Sequence, residues 1–209
     1  MHAYVLLDRT GSMQSIWDEA LSSVNAYARG LAADGAADAH VTLAVFDAQN
    51  GLQYDVLRDA VPAATWTDVT SAEATPRGMT PLYDAIGRTI ARAEALAPDR
   101  AMIVVMTDGQ ENASRELKKQ DVKAALDRVE KKGWQVIFLG AEFANFDDAD
   151  AVGLKHDKRM AMAAGTFDET MVTLSRKARA YFARGEDVGW DEADRAAAEE
   201  LDVIKRKPN

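Results

Sequence analysis

The chain is 209 residues long, 47% hydrophobic and 28% charged, the composition of a globular domain with one sizeable core. Lys and Arg total 25 against 34 Asp and Glu, and the net charge of -9 argues against nucleic acid or an anionic membrane as partner, since both need clustered Lys and Arg. Cysteine is absent, which excludes a disulfide framework and a thiolate metal site.

The first residues turn polar too soon for a secretory signal, and no run of about twenty apolar residues offers a membrane span, so the expected location is cytoplasmic. Ala3–Leu7 reads as a buried strand that ends at Asp8. From Met13 to about Leu31, Ile16, Ala20, Val24, Tyr27 and Leu31 recur at helical spacing. Val41–Phe46 is a second strand; Asn50-Gly51 then signals a tight turn, with Leu52–Leu57 as hairpin partner. Leu82, Ile86, Ile90 and Ala93 mark another helix face. Met102–Met106 is the continuous apolar run of a central parallel strand. Val122, Ala125, Leu126 and Val129 predict a helix that Gly133 ends, and Trp134–Leu139 the next strand. An Asp-rich loop, a short strand around Arg159–Ala163 and a helix from Phe167 to about Ala183 follow, the helix opening on a capping-box pattern at Thr166.

Strands separated by helices predict an α/β fold, Rossmann-like and doubly wound: a mostly parallel central sheet, one antiparallel edge strand, helices on both faces. The domain is expected over residues 1–184, with 185–209 an acidic, Ala-rich extension containing a short helix and a tail. In such sheets ligands bind beyond the carboxyl ends of the strands, so Asp8, Asp47, Asp108 and Gly140 mark the rim of interest.

Three segments bring oxygen donors to that rim. Asp8-Arg9-Thr10-Gly11-Ser12 places a carboxylate and two hydroxyls at alternate positions after the first strand. Gly78-Met79-Thr80-Pro81 carries a hydroxyl into a helix. Thr107-Asp108-Gly109 ends the central strand on a carboxylate. Hard divalent cations prefer oxygen, and Mg²⁺ takes six oxygens while keeping several waters. Two carboxylates neutralise such an ion and leave its shell to be finished from outside.

Asp8-x-Thr10-x-Ser12, then Thr80, then Asp108 resembles the metal-ion-dependent adhesion site of von Willebrand factor A domains, the integrin I domains among them. Asp84-Ala85 after the Thr80 loop, and Glu111-Asn112 after Asp108, extend the likeness. It implies a non-catalytic, metal-dependent protein-binding module. Thr10, Ser12 and Thr80 would ligate directly and Asp8 and Asp108 often through water, with Mg²⁺ as the expected ion and Mn²⁺ or Ca²⁺ as alternatives. The family usually has Ser where Thr10 stands; the hydroxyl is kept and a methyl is added. A partner protein would give an Asp or Glu to the metal, with Gly11, Met13, Gly78, Met79 and Gln110 as contact rim. Single-domain members of the family commonly work beside AAA+ ATPases or in bacterial stress and phage-related systems.

Simpler roles compete for single residues. Ser12 can cap the first long helix, and Thr80-Pro81 the second. Asp147, Asp148 and Asp150 lack the order of an EF-hand and read as a solvated loop. His2, His40 and His156 have no ligand spacing, the tryptophans read as core or half-buried, and Lys205-Arg206-Lys207 reads as a tail. The enzymatic rival is a haloacid-dehalogenase-like phosphotransferase with Asp8 as nucleophile, since Asp8-Arg9-Thr10-Gly11-Ser12 resembles the Asp-Lys-Thr-Gly-Thr motif of transport ATPases. That chemistry needs a Lys before the second acidic motif, where Pro98-Asp99-Arg100 offers only Arg. No G-x-G-x-x-G follows the first strand and no nucleophile elbow is present.

Overall fold

A computed structural model describes residues 1–33, 38–141, 149–150 and 152–205. Strand β4 (Ala101–Thr107) is buried at every position. It lies parallel to β1 (His2–Asp8) on one side and β5 (Gln135–Ala141) on the other, which is why its sequence is apolar on both faces. With β2 (His40–Ala48), β3 (Leu52–Pro62) and β6 (Arg159–Met162) the sheet has the order β3-β2-β1-β4-β5-β6, and only β3 runs antiparallel. This is the doubly wound, mostly parallel sheet with one antiparallel edge strand that the sequence predicts.

Alternate strand residues feed two cores. Ala3, Val5, Leu7, Met102, Val104 and Met106 face helices α1 (Trp17–Leu31) and α4 (Phe167–Arg184). Tyr4, Leu6, Ile103 and Val105 face α2 (Leu82–Leu96) and α3 (Lys119–Glu130). The parallel strands therefore all release their chains at one rim. Among the described residues no helix is long and apolar enough to cross a membrane.

Several elements differ from expectation. The first long helix begins at Trp17, because Gly11–Ser15 forms a 3-10 turn closed by Met13 N–H to Thr10 O. Strand β3 runs on past Leu57 to Pro62, through a bulge where Ala60 takes a left-handed φ of 49°. Its charged residues Asp55 and Asp59 lie on the exposed side of an edge strand, which hides the period in the sequence. The Thr166 side chain does not cap α4: its hydroxyl donates to Ala163 O, while Glu19 of α1 accepts the N–H groups of Gly165 and Phe167.

Residues 186–205 return along the far edge of the sheet as α5 (Glu192–Ala197) and α6 (Glu200–Lys205). Val188, Trp190 and Ala198 join the larger core. The outer edge of β6 is occupied: Ala161 N–H donates to Glu200 Oε1 at 3.0 Å, Ala163 N–H to Ala198 O at 3.0 Å, and Arg195 to Arg159 O at 3.1 Å. Glu200 is held in place by a two-pronged bond from Arg195, at 2.8 and 2.7 Å.

Candidate metal centre

Leu7 and Met106 are partners across the parallel β1–β4 ladder, so Asp8 and Asp108 emerge side by side at the rim. Both oxygens of Asp8 are engaged: Thr10 N–H donates to Oδ1 at 2.7 Å and the Thr107 hydroxyl to Oδ2 at 2.6 Å. Ser12 Oγ donates to Asp108 Oδ1 at 2.7 Å, and Thr10 Oγ1 lies 3.1 Å from Ser12 Oγ. Each hydroxyl has one proton and two lone pairs, so both Thr10 and Ser12 keep lone pairs available. A Cβ placed on Gly109 would sit 2.8 Å from Thr80 Oγ1 and 3.5 Å from Asp8 Oδ2, so the Thr80 hydroxyl reaches the same corner from the third loop. Asp8, Thr10, Ser12, Thr80 and Asp108 thus converge.

Asp8, Thr10, Thr80 and Asp108 are buried while Ser12 is exposed, which opens the corner on the Ser12 side. Burial pushes the Asp8 carboxyl up to about 7, against the pull of its bonds from Thr107 and Thr10, with the neighbouring Asp108 adding to the rise. Burial raises Asp108 as well. No cationic side chain contributes to either group. Arg9, between Asp8 and Thr10 in sequence, turns away: its Nε donates to Asp47 Oδ1 at 2.7 Å and its Nη2 to Asp55 Oδ2 at 2.6 Å. Two carboxylates held together in low dielectric without a counter-charge are unfavourable, and a bound cation removes that penalty. Among the described residues no group of three or more His, Cys, Asp or Glu side chains is gathered to hold a metal. The donor set of this corner is two carboxylates and three hydroxyls, an all-oxygen set suited to a hard ion.

The supporting residues tie the loops together. Thr80 N–H donates to Asn112 Oδ1 at 2.9 Å and Asn112 N–H returns to Thr80 O at 3.1 Å. Glu111 accepts Tyr83 N–H at 2.9 Å and Ser114 N–H at 2.7 Å. The buried carboxylate of Asp84, at the start of α2, accepts the N–H groups of Arg115 and Leu117 at 2.8 and 2.7 Å. The loop after β4 is thereby fastened to the start of α2. Sequence reasoning used Asp84, Glu111 and Asn112 only as marks of resemblance and gave Thr107 no role. A lone hydroxyl closing an otherwise apolar buried strand was the available signal for Thr107.

On the rim, Gly11, Gly78 and Gln110 are exposed, and Met79 is 54% exposed. Gly78 has φ +73°, and a Cβ there would lie 2.6 Å from Ala48 O, so the loop needs glycine. Met13 is a correction: it is fully buried in the core, because in the 3-10 turn it faces opposite to Ser12. The capping roles also lose ground. Ser12 lies inside the 3-10 turn while Ile16 is the residue before α1, and α2 starts after Pro81 with no side-chain cap bond. Asp150 pairs with Arg159 at 2.5 Å. Asp147, Asp148, Arg206 and Lys207 lie outside the described residues.

No family model and no curated protein sequence matches the chain. Solved structures do. The fold is similar to the vWF domain of the type V pili tip protein Mfa5 from Porphyromonas gingivalis, with TM-score 0.60, 10% identity, and coverage of 92% of this chain and 98% of that one. It is similar to von Willebrand factor type A from Catenulispora acidiphila, with TM-score 0.56, 15% identity, and coverage of 85% and 42%. It is also similar to proximal thread matrix protein 1 from the mussel byssus with a zinc-occupied MIDAS motif, with TM-score 0.60, 14% identity, and coverage of 85% and 45%. The chain has a von Willebrand factor A fold. It spans less than half the length of the byssus and Catenulispora proteins, at 46% and 42%.

Proposed function

We propose that this chain is a non-catalytic, metal-dependent protein-binding module. Asp8, Thr10, Ser12, Thr80 and Asp108 would hold one divalent cation, and an Asp or Glu of a partner protein would complete its shell. The observation that carries this is the meeting of two buried carboxylates with three hydroxyls in one corner without a cationic side chain. A divalent ion bound there supplies an electrophilic attachment point for one more carboxylate. The hydroxyl-rich, low-charge donor set favours Mg²⁺, with Mn²⁺ and Ca²⁺ drawing on the same oxygen chemistry. The zinc-occupied site of the byssus protein is in keeping with a cation at this position of the fold.

The phosphotransferase alternative is disfavoured by Arg100. It stands before the first residue of β4, at the end opposite Asp108, and donates to the carbonyls of Tyr181 and Phe182. A strand of that length holds the two ends about 20 Å apart, so Arg100 is no substitute for the lysine that chemistry needs.

The test is binding of the purified chain to a panel of Asp- and Glu-bearing peptides in Mg²⁺ and in chelator. Capture is expected only with metal, and is lost in Asp8→Ala and when the peptide's acid is amidated. Capture undiminished by chelator overturns the proposal.

A further inference from the structure

Two of the three loops that surround the corner lack acidic side chains, whereas the third, after β4, carries Glu111 and Glu116. Residues 9–15 read Arg-Thr-Gly-Ser-Met-Gln-Ser and residues 75–80 read Thr-Pro-Arg-Gly-Met-Thr, with no acidic side chain in either, on a chain with 34 Asp and Glu. Arg77 stays 43% exposed while leaning on the buried Asp47 at 3.2 Å. The side of the rim formed by these two loops, where Arg77 and Met79 lie, suits an approaching acidic segment.

Met79 gives the rim a second chemistry. Among the described residues the exposed large apolar side chains are few, and Met79, at 54%, is the one that adjoins the site. Its backbone is fixed on both counts: Met79 N–H donates to Ala48 O at 3.3 Å and Met79 O accepts Ala48 N–H at 2.9 Å. The residues before it are fixed too, with Arg77 N–H to Arg9 O at 2.7 Å and Gly11 N–H to Gly78 O at 3.4 Å. A polarisable, unbranched side chain is therefore held into solvent from a rigid base, about 3.8 Å along the chain from Thr80.

We infer that the partner is an acidic segment with an aliphatic or aromatic side chain within two residues of its metal-bound carboxylate, and that this side chain packs on Met79. The inference rests on the metal-bridged reading above. Neighbouring residues of an extended segment keep the distance from Met79 to Thr80, and residues two apart share a face, so one segment reaches both the cation and the methionine.

The experiment titrates the full chain, by NMR, with the blocked pentapeptide Ala-Ala-Glu-Ala-Ala, its four variants with one Ala replaced by Leu, and their Gln counterparts, in Mg²⁺ and in chelator, using wild type and Met79→Ser. Metal occupancy is read separately by Mn²⁺ electron paramagnetic resonance. At least one Leu-bearing Glu peptide is expected to bind about tenfold tighter than Ala-Ala-Glu-Ala-Ala, a preference absent in Met79→Ser. Metal-dependent binding that ignores the flanking residue, or a preference that survives Met79→Ser, overturns the inference and leaves the metal-bridged reading standing. A chain that binds Mn²⁺ but no Glu peptide overturns that reading itself.

Discussion

Ser12 Oγ donates a 2.7 Å hydrogen bond to Asp108 Oδ1 across 96 residues of sequence. It joins the loop after β1 to the end of β4 at the point where the cation is proposed to sit. Ser12 is exposed and Asp108 is buried, so the two variants separate folding from binding. Ser12→Ala is expected to shift the unfolding free energy by less than about 1 kcal/mol and to weaken Mg²⁺ by at least about tenfold. Asp108→Ala is expected to abolish metal-induced stabilisation. Calorimetric titration with thermal melts checks both, and full metal affinity in Asp108→Ala would remove Asp108 from the site.

The pH dependence follows from Asp8. Its folded value of about 7 stands above the ordinary carboxylate value of about 3.9. The protonated form is thus favoured by folding; its contribution to stability is complete below about pH 4 and is lost as pH rises through about 7. In chelator the wild type should melt at a lower temperature at pH 8 than at pH 5, by a margin that shrinks in Asp8→Asn. Metal binding needs the carboxylate, so stabilisation by Mg²⁺ should grow over the same interval and release a proton. Melts that show no difference between wild type and Asp8→Asn across that interval count against the assignment.

Thr107 acts through Asp8. Its hydroxyl gives Asp8 Oδ2 a 2.6 Å bond, and both groups are buried. Thr107→Val keeps the shape and removes the donor. The expected loss is about 1–3 kcal/mol in stability and about tenfold to a hundredfold in metal affinity. Thr107→Ser should restore the affinity, which a purely packing role would not predict.

Gly109→Ala probes Thr80 without touching it. Gly109 does not have positive φ, so alanine brings no backbone strain, but its Cβ would stand 2.8 Å from Thr80 Oγ1. The Thr80 hydroxyl must move away. Metal and acidic-peptide affinity should drop while the denaturant midpoint changes little; a crystal structure of the variant with Thr80 unmoved and affinity intact would show that this hydroxyl is not needed.

The sheet and the meeting of the five oxygen donors at one rim were readable because each depends on local chain order. A buried strand followed at once by Asp, and a Thr-Pro step into a helix, place oxygen donors at one rim whatever the distant residues do. Met13 was misplaced because a 3-10 turn and an α-helix point the same residue in different directions, and one hydrogen bond, Met13 N–H to Thr10 O, decides between them. The start of α4 at Phe167 agrees with the sequence reading, but its cap does not, for a different reason. Glu19 is 146 residues from Gly165, and no local pattern announces a cap delivered from another helix. The ties of Asp84 to the loop after β4 and of Glu111 to Tyr83 in α2 are also non-local, so their sequence neighbours point to a family and not to a contact.

The carboxylate of Glu200 that seals the outer edge of β6 sits 39 residues beyond its partner Ala161. A ribosome adds about 5–20 residues each second, so a nascent chain carries an unsealed strand edge for about 2–8 seconds after β6 is made. Open edges pair readily with other strands. The hazard of mispairing for this protein is therefore set by the tempo of translation and by crowding between nascent chains, and it ends when Arg195 and Glu200 arrive.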